Sequence, residues 1–234
     1  MSNLNPKWIN LVFVIDKSGS MWSSESDVIG GFNKTIEEQK AIKDGKVTVS
    51  MFTFDSNVHE LYIGKDINDL PKFDYHADGM TALNDGCGTA IDKVGKWLRD
   101  KDVAGEEMPG KTLVVVMTDG MENNSKEYKL TQVQEMIKEQ TEKYSWTFIY
   151  QGTDITTTKA ADDLGFNIKS FGSRKKFAKN YDMINCAATA YRSAVNTGQT
   201  LAFASATLDS VLLKEATDNT MDFESEIGTK LSKD

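Results

Sequence analysis

Three short apolar runs, Leu11–Ile15, Leu113–Met117 and Trp146–Tyr150, stand out along the chain because each gives way at once to polar or glycine-containing sequence. Runs of this length, rich in β-branched or aromatic residues and without alternation, predict strands buried on both faces, as in a parallel sheet. Val47–Phe54 and Val58–Ile63 are joined only by Asp55-Ser56-Asn57. That connection suits a hairpin and leaves no room for a crossover helix, so the second of the pair is expected to run antiparallel to the rest. Phe166–Phe171 reads as a weaker last strand.

Between these runs the apolar period lengthens. Ile29, Phe32 and Ile36 share a helical face, as do Leu83, Cys87, Ile91, Val94 and Leu98, and again Leu130, Val133, Ile137 and Tyr144. The clearest stripe is Phe177, Tyr181, Ile184, Ala188, Tyr191 and Val195, with Ser173 as the expected N-cap. A shorter helix is expected within Thr153–Leu164. Strands alternating with helices predict an α/β domain: a Rossmann-like, doubly wound sheet with helices on both faces. The domain is expected to occupy residues 1–196. Residues 197–234 change character, with seven acidic against three basic side chains. Leu201 and Phe203, then Leu208, Val211 and Leu212, suggest a short amphipathic helix that docks, followed by a polar, mobile tail.

Composition narrows the setting. The 234 residues carry 27 basic and 35 acidic side chains, a formal charge of −8, which argues against a nucleic-acid backbone as partner. The N-terminal sequence lacks the basic and apolar regions of a secretory signal, and no apolar stretch approaches the ~20 residues of a membrane span. Cys87 and Cys186 are the only cysteines and suggest no disulfide framework; Cys87 falls on an apolar stripe and is expected in the core. A cytoplasmic protein is the expectation.

The chemistry gathers where strands end. Asp16-Lys17-Ser18-Gly19-Ser20 follows the first apolar run, and Thr118-Asp119-Gly120 follows the second. In a doubly wound sheet the carboxyl ends of strands are where ligands bind. An Asp-x-Ser-x-Ser turn aims three oxygen-bearing side chains at one point, and Gly19 permits the tight path. Thr81, within Gly79-Met80-Thr81-Ala82-Leu83, precedes a strongly patterned helix and is expected to face the same edge. Carboxylate and hydroxyl oxygens are hard ligands suited to Mg²⁺, Ca²⁺ or Mn²⁺. The competing explanation is a set of turn-forming Asp and Ser residues, common at strand ends.

In these motifs the chain resembles the von Willebrand factor A domain family over roughly residues 8–196, in particular intracellular prokaryotic and viral members. Asp16-x-Ser18-x-Ser20, Thr81 and Thr118-Asp119-Gly120 match the metal-ion-dependent adhesion site of that family. The resemblance implies a six-stranded, mostly parallel sheet with one antiparallel edge. It implies a divalent cation, Mg²⁺ first, ligated directly by Ser18, Ser20 and Thr81, with Asp16 and Asp119 acting partly through water. A partner's Asp or Glu would complete the shell. A site with few direct carboxylates leaves the cation electrophilic enough to gain from that incoming oxygen.

Met21, Trp22, Met80 and Met121 adjoin the ligand segments and are expected to form an apolar rim suited to an adaptable protein surface, unless Trp22 or some of the methionines fold inward. A non-enzymatic, metal-dependent protein-interaction module is the resulting expectation. Two alternatives stand beside it. One is a metal-dependent phosphohydrolase with Asp16 as nucleophile, for which no general acid occurs at a suitable spacing. The other is a structural subunit whose metal only stiffens loops. His59 and His76 with two distant cysteines lack zinc-site spacing, and no Walker-type phosphate loop occurs. Arg174, Lys175, Lys176 and Lys179 read as a solvated face.

Overall fold

The first apolar run lies at the centre of a six-stranded sheet in the computed structural model, which describes residues 3–152, 158–166, 168–171, 177–198, 206–214 and 217. Strand β1 (Leu4–Asp16) lies between β2 (Lys46–Phe54) and β4 (Met108–Thr118), parallel to both. Outside β2 the hairpin returns as β3 (Val58–Asp66), antiparallel. Beyond β4 the sheet continues in parallel through β5 (Thr147–Gly152) and β6 (Ile168–Phe171), giving the order β3-β2-β1-β4-β5-β6. The mostly parallel sheet with one antiparallel edge is as expected. β1 and β4 start earlier than their apolar runs, pairing Leu4 with Met108 before a register shift between Asn5 and Ile9. That extension carries the exposed Leu4, Pro6 and Lys7, so hydrophobicity does not announce it.

The strand period of two divides the core. Ile9, Leu11, Phe13 and Ile15 face one layer, covered by α1 (Glu25–Ala41) and α5 (Phe177–Asn196). Val12 and Val14 face the other, covered by α2 (Leu83–Val103), α3 (Leu130–Tyr144) and the short α4 (Thr158–Asp163). Cys87 is buried in this second layer, as expected. Tyr144 departs from its expected apolar face, because α3 ends there and the ring points to solvent.

Helices α1 and α5 meet closely. Gly31 lies so near the Tyr181 ring that a Cβ would overlap it. The buried Arg192 of α5 donates from Nη1 to the Gln39 carbonyl and Oε1 at 3.1 Å each, and from Nη2 to the Ile42 carbonyl at 2.9 Å. It thereby satisfies carbonyls that the end of α1 leaves unpaired.

Residues 206–214 are helical, with Leu208 and Leu212 buried in the first layer and Asp209 Oδ1 accepting from Thr147 Oγ1 at 2.8 Å. The expected cap Ser173, the basic residues Arg174–Lys176, and Leu201 and Phe203 lie outside the described residues. Among the described residues no helix is long and apolar enough to cross a membrane.

Candidate metal centre

The parallel pairing of β1 with β4 brings their carboxyl ends side by side, with Ile15 opposite Met117. Asp16, the last residue of β1, is fully buried there. Its Oδ1 accepts from the Ser18 amide at 2.7 Å and its Oδ2 from Thr118 Oγ1 at 2.5 Å. The first bond closes the turn that carries Ser18 back over the strand end. Ser18 Oγ then lies 3.2 Å from Ser20 Oγ, and Ser20 Oγ donates to Asp119 Oδ1 across the strand ends. Thr81 arrives from the other side, on the segment before α2. A Cβ placed on Gly120 would meet Thr81 Oγ1 at 3.1 Å and Asp16 Oδ2 at 3.7 Å. Two carboxylates and three hydroxyls from three separated segments therefore converge beside a residue that has no side chain to fill the space.

Residues 10–165 match the von Willebrand factor type A domain. The chain belongs to that family. Solved structures share the fold at low sequence identity. Proximal thread matrix protein 1 of the mussel byssus superposes with a TM-score of 0.57 at 15% identity, over 76% of this chain and 45% of that one. The form of that protein described as having a zinc-occupied MIDAS motif gives 0.54 at 16%, over 77% and 45%. The PilB minor pilin from Streptococcus sanguinis gives 0.54 at 12%, over 76% and 60%. The chain spans less than two thirds of each of these proteins.

Within this von Willebrand factor A domain the donor set is hard. Among the described residues no three His, Cys, Asp or Glu side chains come together as a metal cluster, and the oxygens at the strand ends come from the carboxylates of Asp16 and Asp119 and the hydroxyls of Ser18, Ser20 and Thr81. Burial pushes the Asp16 carboxyl up to about 6 from an ordinary 3.8; hydrogen bonds from Thr118 and Ser18 pull against this, and the charge of Asp119 adds to it. A divalent cation beside such a carboxylate would offset the cost of burying its charge. Lys17, inside the Asp-x-Ser turn, is engaged elsewhere: its Nζ pairs with Asp55 Oδ2 at 2.9 Å. The residues present thus fit a divalent cation.

The apolar rim is smaller than expected. Trp22, Met80 and Met121 are 69%, 48% and 61% exposed, whereas Met21 is 0% exposed and belongs to the first core layer. Met21 lies in the 3₁₀ turn Gly19–Ser24, where residues three apart share a face. Met21 and Ser24 face inward together, and Trp22 and Ser23 face out. His76 is exposed and places Nδ1 3.1 Å from Glu25 Oε1.

Several residues that shape the centre carry no motif. Tyr75 Oη donates to the Asp16 carbonyl at 2.5 Å, and Glu25 Oε1 accepts from the Ala77 amide at 2.6 Å. Asn123 brackets Thr81: its Oδ1 accepts from the Thr81 amide at 2.9 Å, while its own amide donates to the Thr81 carbonyl at 3.0 Å. Glu122 and Asp85 accept further backbone amides around the same loops. Apart from the local bonds of Glu122 to the Asn124 and Ser125 amides, their partners are main-chain groups far away in sequence, which neither spacing nor periodicity encodes.

Proposed function

We propose that this domain is a non-enzymatic, divalent-cation-dependent protein-interaction module. Ser18, Ser20 and Thr81 hold the cation directly, Asp16 and Asp119 act partly through water, and a partner protein presents an Asp or Glu to the remaining position. Mg²⁺ is the expected ion, because it keeps exchangeable waters in an octahedral oxygen shell. Bound there, the cation supplies an electrophile for the partner's carboxylate. Trp22, Met80 and Met121 add apolar contact area around it.

The observation that carries this reading is the convergence of two carboxylates and three hydroxyls from three chain segments beside the space at Gly120. The burial of Asp16, with both oxygens accepting hydrogen bonds, favours a positioning role over attack on a substrate. A fold neighbour described with a zinc-occupied MIDAS motif agrees with a cation at this edge. The reading includes a cytoplasmic setting, consistent with Cys87 and Cys186 as free thiols.

The test is affinity purification from native lysate in Mg²⁺ or chelator, with wild type against the D16A/D119A double variant and cation titration of both. Partner capture is expected only for wild type in Mg²⁺. Equal capture with chelator, or by the double variant, would sink the proposal.

A further inference from the structure

Thr81 and Asp119 lie on different loops, and a carboxylate that is not among the proposed ligands joins the two. Glu122 Oε1 accepts from the amides of Asn124 and Ser125 at 2.9 and 2.7 Å, which folds the loop after Asp119 around it. Its Oε2 accepts from Ser125 Oγ at 2.7 Å and from the Asn84 amide at 2.9 Å. Asn84 lies in the first turn of α2, where amides lack intrahelical partners, and Ala82 at the N-cap has no side chain to satisfy them. Glu122 therefore serves as a remote cap for the helix that follows Thr81.

The arrangement is reciprocal. Ser125 Oγ accepts from the Asp85 amide at 3.0 Å, so the loop caps a second free amide of the same turn. In return the Asp85 carboxylate, buried in α2, accepts the amides of Lys126, Glu127 and Tyr128 at 2.7 to 2.9 Å. Between these two clamps the Thr81 carbonyl receives the amides of Asn123 and Asn124 at 3.0 and 3.2 Å. The start of α2 and the loop after β4 are thus one hydrogen-bonded unit, with Thr81 on one side and Asp119 on the other. With four hydrogen bonds arriving at its two oxygens, Glu122 is committed to main-chain geometry.

We propose that Glu122, with Asp85 as its counterpart, is a positioning residue that sets the placement of Thr81 relative to Asp119 and thereby the cation affinity of the site. This rests on the cation-binding reading above. Carboxylates that orient ligands from behind typically govern metal affinity by 10- to 100-fold. Asp is one carbon too short to reach all four donors, and Gln replaces one acceptor oxygen with a donor.

The test is Mg²⁺ and Mn²⁺ titration calorimetry of the full chain, well below the melting temperature, on wild type, E122Q, E122D and D92N. Amide exchange is measured on the cation-free proteins alongside. Asp92 of α2 accepts from Tyr128 Oη at 2.6 Å in the same neighbourhood but not in the clamp, so it controls for a general effect of losing a carboxylate. E122Q and E122D are each expected to weaken binding about 10- to 100-fold and to speed exchange at Asn84, Asn124 and Ser125, with D92N unchanged. Wild-type affinity in E122Q overturns the inference, and so does loss in E122Q with full retention in E122D, which would assign the effect to charge alone. A wild-type protein that binds neither cation overturns the underlying reading and this one together. If neither Glu122 variant folds, S125A, which removes one hydroxyl of the clamp, must show a smaller loss in the same direction.

Discussion

Asp16 shows most directly how burial shapes the chemistry of single residues here. Its carboxyl is pushed up to about 6 in the cation-free fold, against 3.8 ordinarily, because removal from water outweighs the hydrogen bonds of Thr118 and Ser18. A raised folded value means that the fold binds this proton more tightly than the unfolded chain does. The resulting stability is complete below about pH 4 and is lost as pH rises through about 6, on the order of 2–3 kcal/mol in all. D16N cannot ionise, so cation-free D16N is expected to gain in melting temperature relative to wild type between pH 4 and pH 7. The stabilisation of wild type by saturating Mg²⁺ is expected to be larger at pH 7.5 than at pH 5. Thermal melts of both proteins across that range check the sign; a constant difference would remove Asp16 from the balance. The ligand candidates were legible as residues because each sits in a local motif at a strand end or just before a helix. The inward turn of Met21 is not legible in the sequence, because facing in or out of a 3₁₀ turn depends on a three-residue repeat too short to show in the pattern.

Among the elements, the contact of α1 with α5 depends on the absence of a side chain at Gly31. Adjacent glycines in a helix ordinarily weaken it. Here Gly31 lets the Tyr181 ring lie against the α1 backbone, and Gly30 has nothing nearby. G31A is therefore expected to destabilise by roughly 1–3 kcal/mol through overpacking, whereas G30A, on an open face, should stabilise slightly. Chemical denaturation of both variants checks this opposition, and equal shifts would refute it. The helices were readable from their apolar stripes, and so was the antiparallel β3 from its short connection. The polar beginning of β1 was not, because its pairing with β4 is a backbone matter. The use of Gly31 depends on which helix packs against it, which a single chain read in order does not state.

The whole molecule is closed at its C-terminal side by the helix at 206–214, outside the segment that matches the family. Leu208 and Leu212 enter the layer shared by α1 and α5, and Asp209 bonds Thr147 at the start of β5. Asp209 also acts on Lys111 of β4, whose ammonium is held below its ordinary range by burial while the Asp209 charge opposes that shift. L212A is expected to cost about 2–5 kcal/mol, the range for emptying a buried leucine site. A denaturation midpoint unchanged from wild type would show that this helix adds nothing to the stability of the sheet. The strand order is not written in any local pattern, but at this scale the antiparallel edge followed from the short connection before β3, and the placement of the candidate site from the rule that ligand sites gather at carboxyl ends. The clamp of Glu122 and Asp85 did not, since it joins side chains to distant amides.

The order β3-β2-β1-β4-β5-β6 also has a consequence in time. The strand that flanks β1 on its second side leaves the ribosome only after β2, β3 and α2. Until Met108–Thr118 emerges, one edge of β1 offers unpaired main-chain groups along Leu11–Ile15. Such an edge is an invitation to pair with another chain. Nascent chains halted before β4 should therefore be the aggregation-prone form of this protein. Because Thr118 and Asp119 arrive with that same strand, the proposed cation site is incomplete until the strand that closes this edge has been supplied.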